Sequence, residues 1–445
     1  MLLLRLTAVF MTSLAAAETW VIDTVDSTGS VLTYTSIALD SQGYPHISYY
    51  CSLDQELRYA GWTGSSWEIE TVDSDGETGI FSSLELDAFD CPHISYHDQS
   101  NSALNYAFRD SRGWVIATVD SSSAGSTGTW SSLALDSSGY PHICYMKDLL
   151  LMYASWDGSS WETEVVDPDG DTGFCISLAL DSSDLPHISY YELSGDVLRY
   201  AHWNGLEWET ETVAAVGNTC HCTSLDLDSS DAPHISCLDL DDGCLKHYYT
   251  NGSSWDSQVI DSIPAPSGVV FSSLAIDTSD CPHISYTDAS PSCLKYARWN
   301  GSAWEIDTIE TGEAMGQYCS LDLSSSDYPH VSYLDWSGGC VKYAYVSESG
   351  IESGPAVEDP VELLQPAPNP AGSSTDIQFS LPASSRITLS VFDASGRLRD
   401  KLYSGQAGAG SHRITWTPSG METGCYLVVL DACGERAVRR VVLLR

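Results

Sequence analysis

Apolar and polar residues along this chain alternate in short runs and never settle into a helical period. The clearest stretch opens on Ser177-Leu178-Ala179-Leu180-Asp181 and, after four connecting residues, continues as Pro186-His187-Ile188-Ser189-Tyr190. Leu198-Arg199-Tyr200-Ala201 follows, then the turn pair Asn204-Gly205 and a segment opened by Trp208. Period-two alternation bounded by Ser, Gly, Asp and Asn is the pattern of half-buried strands. The Asn-Gly and Asp-Gly pairs at Asn204-Gly205, Asp157-Gly158 and Asn300-Gly301 mark tight hairpins. Each Pro-His strand begins on proline, the place where a missing N–H costs the ladder least.

This four-strand phrase is written seven times. Its Pro-His histidine stands at His46, His93, His142, His187, His234, His283 and His330, in steps of 45 to 49 residues. A fixed period of this size means one supersecondary unit that buries its apolar faces only against its neighbours. Four strands per repeat is the signature of a propeller blade. The ends of the array agree with each other. Trp20-Val21-Ile22-Asp23-Thr24-Val25 is a fourth strand without its first three, and the seventh repeat stops after its third, Val341-Lys342-Tyr343-Ala344. The expected fold is therefore all-β: a seven-bladed β-propeller closed by the N-terminal strand, which removes an exposed edge, followed by a small β-sandwich of six or seven strands. The expected domains are a signal peptide at 1–17, the propeller at 18–350, a Pro/Glu-rich linker at 351–370 and the C-terminal domain at 371–445.

Composition adds an address. Arg5, an apolar run from Leu6 to Leu14 and Ala15-Ala16-Ala17 form the three parts of a secretory leader, too short to span a bilayer. The expected location is secreted or at the outer cell surface, with no transmembrane segment in the mature chain. From Glu18 to Pro360 there are 9 Lys plus Arg against 54 Asp plus Glu, and from Val361 onward 9 against 7. So acidic a surface repels phosphate backbones and anionic lipid, which argues against nucleic acid as a partner. The 14 cysteines are irregularly placed and include no CxxC pair, so structural zinc is not expected. Cys425 and Cys433 read as one extended strand, whose eight residues would span roughly 26 Å, beyond disulfide reach.

The phrase between Ser177 and Val213, with its Ser-Leu-Ala-Leu-Asp, Pro-His-Ile-Ser-Tyr-Tyr, Leu-Arg-Tyr-Ala, Trp-Asn-Gly and Trp-Glu-Thr-Glu-Thr-Val segments, resembles secreted bacterial propellers of the sialidase-like (BNR-like) group. The tail carries Pro366-Ala367-Pro368-Asn369-Pro370, Ile377-Gln378-Phe379-Ser380-Leu381-Pro382, Val391-Phe392-Asp393-Ala394-Ser395-Gly396-Arg397, Gly424-Cys425-Tyr426-Leu427 and Val441-Val442-Leu443-Leu444-Arg445. These segments resemble the C-terminal sorting domain of type IX secretion cargo and the related Ig-like domain of flagellar hook-capping proteins. That resemblance implies an Ig-like sorting or anchoring domain and the secretion machinery as its partner.

Candidate chemistry divides into repeated and variable positions. An acid six residues before the histidine recurs as Asp40/His46, Asp87/His93, Asp136/His142, Asp181/His187, Asp228/His234 and Asp277/His283, with Ser324 before His330. Across a tight hairpin this spacing brings the two side chains opposite one another, and a sevenfold feature reads as a structural hydrogen-bonded pair. The tryptophans opening each fourth strand, and Tyr59, Tyr106, Tyr153, Tyr200, Tyr296 and Tyr343, read as rings wedged between blades. Function is expected where the copies disagree, in the second-to-third and fourth-to-first connections, which share one propeller face. Asp98, Glu192, Asp239, Asp288 and Asp335 open the first of these loop sets, with Cys51 and Lys147 departing. They are the candidate ligand-binding residues, as a partial ring of carboxylates round the channel mouth. Asp167-Pro168-Asp169-Gly170-Asp171 resembles the start of a calcium loop, so Asp167, Asp169 and Asp171 are the candidate metal ligands and calcium the candidate cofactor. A glycosidase needs two carboxylates at set separation, which so many acids supply by accident. No catalytic motif singles out a blade, and no catalytic residue is assigned. The expected function is a secreted or cell-surface binding or adhesion propeller recognising extracellular glycan or protein. The alternatives are a glycan-acting hydrolase or lyase on the same scaffold and a structural surface-layer protein.

Overall fold

The computed structural model describes residues 19–346 except 28–31, 124, 218–222, 251, 253, 264–270, 290–291 and 313–314. Beyond them it describes 362–363, 369, 374–381, 385–393, 397–407, 410–418, 421, 423–432 and 435–443. The expected leader at 1–17 and most of the expected linker lie outside the described residues. The chain forms two compact units, Met1–Glu348 and Ser349–Arg445.

The first unit contains seven four-stranded antiparallel sheets. Blade 1 runs Leu32–Leu39, Pro45–Cys51, Glu56–Trp62 and Trp67–Asp73, and blades 2 to 6 repeat that order from Thr78 to Thr311. Blade 7 takes Met315–Leu323, Pro329–Asp335 and Cys340–Val346, and its fourth strand is Trp20–Asp26, paired antiparallel with Trp20 opposite Val346 and Ile22 opposite Ala344. The N-terminal strand thus fills the vacancy that the repeat count left.

Three sets of contacts close the ring, each using a side chain fixed by the repeat. An inner strand has N–H groups that its own blade leaves unpaired, and these need acceptors. Leu84 N donates to Ser36 Oγ of the blade before it at 3.0 Å, and Leu133, Leu178, Leu225, Leu274 and Leu321 do the same to Ser83, Ser132, Ser177, Ser224 and Ser273. Ile37 N to Ser320 Oγ at 3.2 Å joins blade 1 to blade 7. Midway out, a second-strand tyrosine donates to the acid ending the previous blade's fourth strand: Tyr49 to Asp26, Tyr96 to Asp73, Tyr145 to Asp120, Tyr190 to Asp167, Tyr286 to Asp261 and Tyr333 to Glu310. At the junction of blades 4 and 5 both partners are replaced together, by Ala214 and Cys237. Further out, each third-strand ring meets the next blade's tryptophan edge-on, from Tyr59 with Trp114 at 5.2 Å round to Tyr343 with Trp67 at 5.6 Å, with His247 standing in for tyrosine in blade 5. Edge-to-face geometry places a positive ring edge over a negative face.

The histidines lie where the hairpin spacing predicts. His46, His93, His142, His187 and His234 hold Nε2 3.6 Å from their aspartates, and His283 holds it 3.2 Å from Asp277. Their Nδ1 atoms face the third-strand phenols of Tyr59, Tyr106, Tyr153, Tyr200 and Tyr296, or His247 in blade 5. Burial holds all of them below the ordinary imidazole range in spite of the carboxylates. They are neutral struts of the blade.

The second unit packs a three-stranded sheet (Glu362–Leu363, Thr375–Leu381, Gly410–Trp416) and a four-stranded one (Leu398–Ala407, Ser385–Asp393, Gly424–Ala432, Glu435–Leu443) about a shared core of Ile377, Phe379, Leu389, Val391, Trp416 and Leu430. It is a two-sheet sandwich. Cys425 lies in the strand that ends at Ala432, and Cys433 falls outside the described residues. Among the described cysteines Cys51, Cys144, Cys175, Cys237, Cys244, Cys293, Cys319 and Cys340 are buried. No helix among the described residues is long and apolar enough to cross a membrane.

Candidate functional site

The inner strands of blades 1, 2, 3, 4 and 7 enter the blade through a β-bulge. In blade 1 the register jumps from Thr33 opposite Tyr50 to Ser36 opposite Ser48, so two residues face one. The first of them, Tyr34, takes φ 55, and its counterparts Phe81, Trp130, Cys175 and Tyr318 take 57, 57, 52 and 52. Bulky side chains avoid this left-handed region, at a cost of order 1–3 kcal/mol each, and a strained position held in five blades signals a use for the side chain it aims. A bulge redirects a side chain that plain alternation would send elsewhere.

These side chains form an arc around the channel mouth. Phe271 meets Tyr318 at 4.2 Å between ring centroids, Tyr318 meets Tyr34 at 4.6 Å, Tyr34 meets Phe81 at 4.5 Å, and Phe81 meets Trp130 at 4.5 Å. Hydroxyls of the second bulge residue pin the carbonyls of the first: Thr35 to Tyr318 O, Ser82 to Tyr34 O and Ser131 to Phe81 O, at 2.5 to 2.9 Å. The arc lines a cavity of about 170 Å³ that reaches Ile176 on its far side. The inner strands begin at the end of the blades where the fourth-to-first and second-to-third loops lie, and those loops bond to one another, as Gln99 N to Glu77 O and Leu193 N to Asp171 O. The cavity therefore opens on the face of variable loops.

Further along the inner strands, Glu85, Asp226 and Asp322 occupy the position that alanine holds in blades 1, 3, 4 and 6. Asp226 accepts the N–H of Ile276, and Asp322 that of Leu39, each at 2.8 Å from the next blade. Burial raises all three acids, Glu85 to about 8 and the aspartates to about 6, and mutual repulsion adds to the rise of Glu85 and Asp226. Neither the arc nor these acids were singled out from sequence, although an aromatic two residues before the phrase's serine in five of seven copies was a readable signal.

The five candidate ligand-binding acids are placed differently from a solvent-facing ring. Asp98 accepts from Asn101 N and from the side chains of Asn101 and Asn105. Glu192 pairs with Arg199 at 2.7 Å, Asp239 with Lys246 at 2.8 Å, Asp288 with Lys295 at 2.7 Å and Asp335 with Lys342 at 3.2 Å. Each carboxylate is held by a third-strand residue of its own blade. Lys147, the departure, reaches Asp120 instead at 2.7 Å. The candidate calcium loop is likewise not assembled. Asp167 turns inward, 1% exposed, to accept from Tyr190 at 2.6 Å and from Asp169 N at 3.1 Å. Among the described residues no group of three His, Cys, Asp or Glu side chains could hold a metal ion together.

No protein-family model matches the chain, and no curated protein sequence matches it. Among solved structures it is similar to virginiamycin B lyase from Staphylococcus aureus, with TM-score 0.51 and 10% identity over 74% of this chain and 100% of that one. AofleA from Arthrobotrys oligospora gives TM-score 0.47 and 13% identity over 67% of this chain and 91% of that one. PorZ, a surface component of the type-IX secretion system of Porphyromonas gingivalis, gives 0.43 and 12% over 93% and 59%. At such identity the likeness to the lyase is one of fold, and it agrees with the sheets described above: the first unit is an all-β propeller.

Proposed function

We propose that this protein is an extracellular glycan-binding module whose propeller takes a saccharide at the mouth of its channel, on the Phe271–Tyr318–Tyr34–Phe81–Trp130 arc. The observation that carries the reading is the left-handed bulge that aims four of these five rings into one cavity. Aromatic faces offer flat apolar area at little entropic cost, with polar edges to orient hydroxyl groups. The half-buried Asp226 and Asp322 further along the inner strands, with no lysine or arginine in the cavity lining, favour a neutral or cationic ligand over an acidic one. In this reading Asp98, Glu192, Asp239, Asp288 and Asp335 act indirectly, by setting the shape of the loops around the mouth. Leader-directed export and a sorting or anchoring role for the C-terminal sandwich, with the secretion machinery as its partner, complete the proposal and rest on the sequence. Glycan-array binding of the purified chain, with and without calcium, tests it. Binding to neutral glycans that Trp130→Ala weakens at least tenfold and chelation leaves intact is the expected result. Array silence, or binding indifferent to Trp130→Ala, would refute it.

A further inference from the structure

Two of the seven blade junctions depart from the others together, at the opposite end of the blades from the channel mouth. At five junctions an aspartate in the first hairpin turn, at φ 61 to 63, reaches back to the preceding blade: Asp90 to Ser41, Asp184 to Ser137, Asp231 to Ser182, Asp280 to Ser229 and Asp327 to Thr278. Where blade 7 meets blade 1 and where blade 2 meets blade 3, glycine takes that place. Gly43 and Gly139 share φ 79, and a Cβ added to either would meet nothing within 4 Å. Each is followed by a tyrosine laid across its own blade's last turn, with Tyr44 Oη 3.0 Å from where a Cβ on Gly64 would stand and Tyr140 Oη 3.0 Å from that of Gly158. The matching glycines Gly205, Gly252 and Gly301 meet nothing.

Behind each opening stands an aromatic shelf. Tyr345 lies nearly parallel to His330 and Tyr343, at 17° and 19°, and Phe108 to His93 and Tyr106, at 22° and 29°. Blades 4 and 5 have similar shelves at His202 and Tyr249, but there Asp231 and Asp280 close the junction. The indole donors differ as well. Trp114, Trp208, Trp255 and Trp304 give their N–H to Glu70, Glu164, Glu211 and Gln258 of the preceding blade. At the two open junctions the matching position holds Asp23 or Ala117, and among the described residues Trp67 Nε1 is buried without a partner, as is Trp20 Nε1 between blades 6 and 7. The results are two equivalent clefts, of about 180 Å³ beside Asp23, Tyr44, Trp62 and Tyr345 and about 240 Å³ beside Phe108, Tyr140, Trp156 and Trp161.

We infer that these clefts are a matched pair of sites, each taking one neutral pyranose residue flat against Tyr345 or Phe108 and beside Tyr44 or Tyr140. The inference rests on the glycan-binding reading above but puts the contacts elsewhere on the molecule. A sugar's C–H face suits the negative face of a ring, and tyrosine hydroxyls and indole N–H groups can bond its hydroxyls. No lysine or arginine lines either cleft, and Asp23 repels anions, so acidic sugars are disfavoured. Two equal sites on one rigid ring multiply weak affinity when a branched or surface-bound glycan fills both.

The test uses the full chain carrying Trp130→Ala, which silences the channel mouth, with the methyl glycosides of glucose, galactose, mannose and fucose as probes in saturation-transfer NMR. Gly43→Asp and Gly139→Asp give these junctions the residue the other five carry, and an unchanged melting temperature shows that the ring survives. At least one glycoside should give a signal that each single variant halves and the double variant abolishes. Phe108→Ala with Tyr345→Ala should repeat that loss without touching the turns. Silence with all four glycosides, or a signal unmoved by both double variants, overturns the inference. Array binding that depends on Trp130 in the otherwise unaltered chain would still uphold the channel-mouth reading in that event, so the two can fail separately.

Discussion

The tyrosine–carboxylate contacts between blades make a quantitative prediction. Tyr190 is fully buried and donates to Asp167 at 2.6 Å, and Asp167 also has Asp169 N at 3.1 Å and Arg199 at 3.7 Å. Tyr190→Phe removes one hydrogen bond to a charged acceptor and leaves the acid its other partners, a loss of ~1.5–3 kcal/mol. Asp167→Ala should cost at least as much, because it strands a buried phenol as well as the loop N–H. In the double variant the two losses overlap, and the cycle should return a coupling of ~1–2 kcal/mol. Urea unfolding followed by tryptophan fluorescence reads the propeller almost alone, since of the 14 tryptophans only Trp416 lies beyond residue 348. The natural gap offers the reverse experiment. Ala214→Asp and Cys237→Tyr should each destabilise, and together they should recover most of the loss by building the missing contact. A coupling below ~0.5 kcal/mol in both cycles would show that these pairs fill space without joining the blades.

Other consequences follow from the same contacts. Glu85, raised to about 8, keeps its proton in the folded chain while the unfolded chain loses it from about 4.5 upward. Its contribution is full below pH 4.5 and is lost as pH rises to 8, so Glu85→Gln should add ~1–3 kcal/mol at pH 8.5 and nothing at pH 4, as read by urea midpoints. His330, with Ser324 where its counterparts have aspartate, is lowered by burial to about 4. Being depressed, it supports folding above pH 6.5 and withdraws that support as pH falls toward 4. Ser324→Asp should therefore raise its NMR titration midpoint and flatten the loss of stability between those values; an unmoved midpoint would contradict the strut geometry. A chain starting after Asp26 should lack a soluble, cooperatively unfolding propeller until a peptide spanning Trp20–Asp26 is added; cooperative unfolding without the peptide would refute closure by that strand.

The architecture was legible because each part of it repeats. Leucines at period two, the proline opening the second strand and the orphan strand at Trp20 all act locally and recur, so seven copies average away the ambiguity of one. The six-residue spacing of Asp181 and His187 was legible for the same reason, since a hairpin register converts spacing directly into contact. The binding surface was harder to read. At Tyr34 the left-handed bulge breaks the alternation on which the reading depends, and the arc exists only after blades 6, 7, 1, 2 and 3 are brought side by side. From sequence, Glu192, Asp239, Asp288 and Asp335 are candidate ligand-binding residues because they begin variable loops. Each has a Lys or Arg seven residues on, at Arg199, Lys246, Lys295 and Lys342, and that spacing was a visible sign that their charge is used within the blade. Loop composition makes Asp167 a candidate metal ligand, whereas its place at the end of a fourth strand, shared with Asp26, Asp73 and Asp120, marks it for the tyrosine of the next blade.

Trp130 stands at one end of the aromatic arc, so its own emission can report directly on the channel mouth. Titrating the array's best neutral oligosaccharide into the intact protein should change tryptophan fluorescence saturably. Trp130→Phe, which keeps a ring in place, should erase most of that change while calorimetry still detects binding, and Trp130→Ala should remove the channel-mouth part of both, leaving only the weaker signal of the two outer clefts. A saturable change of equal size in all three proteins would mean that the saccharide sits elsewhere and that the arc is only a plug.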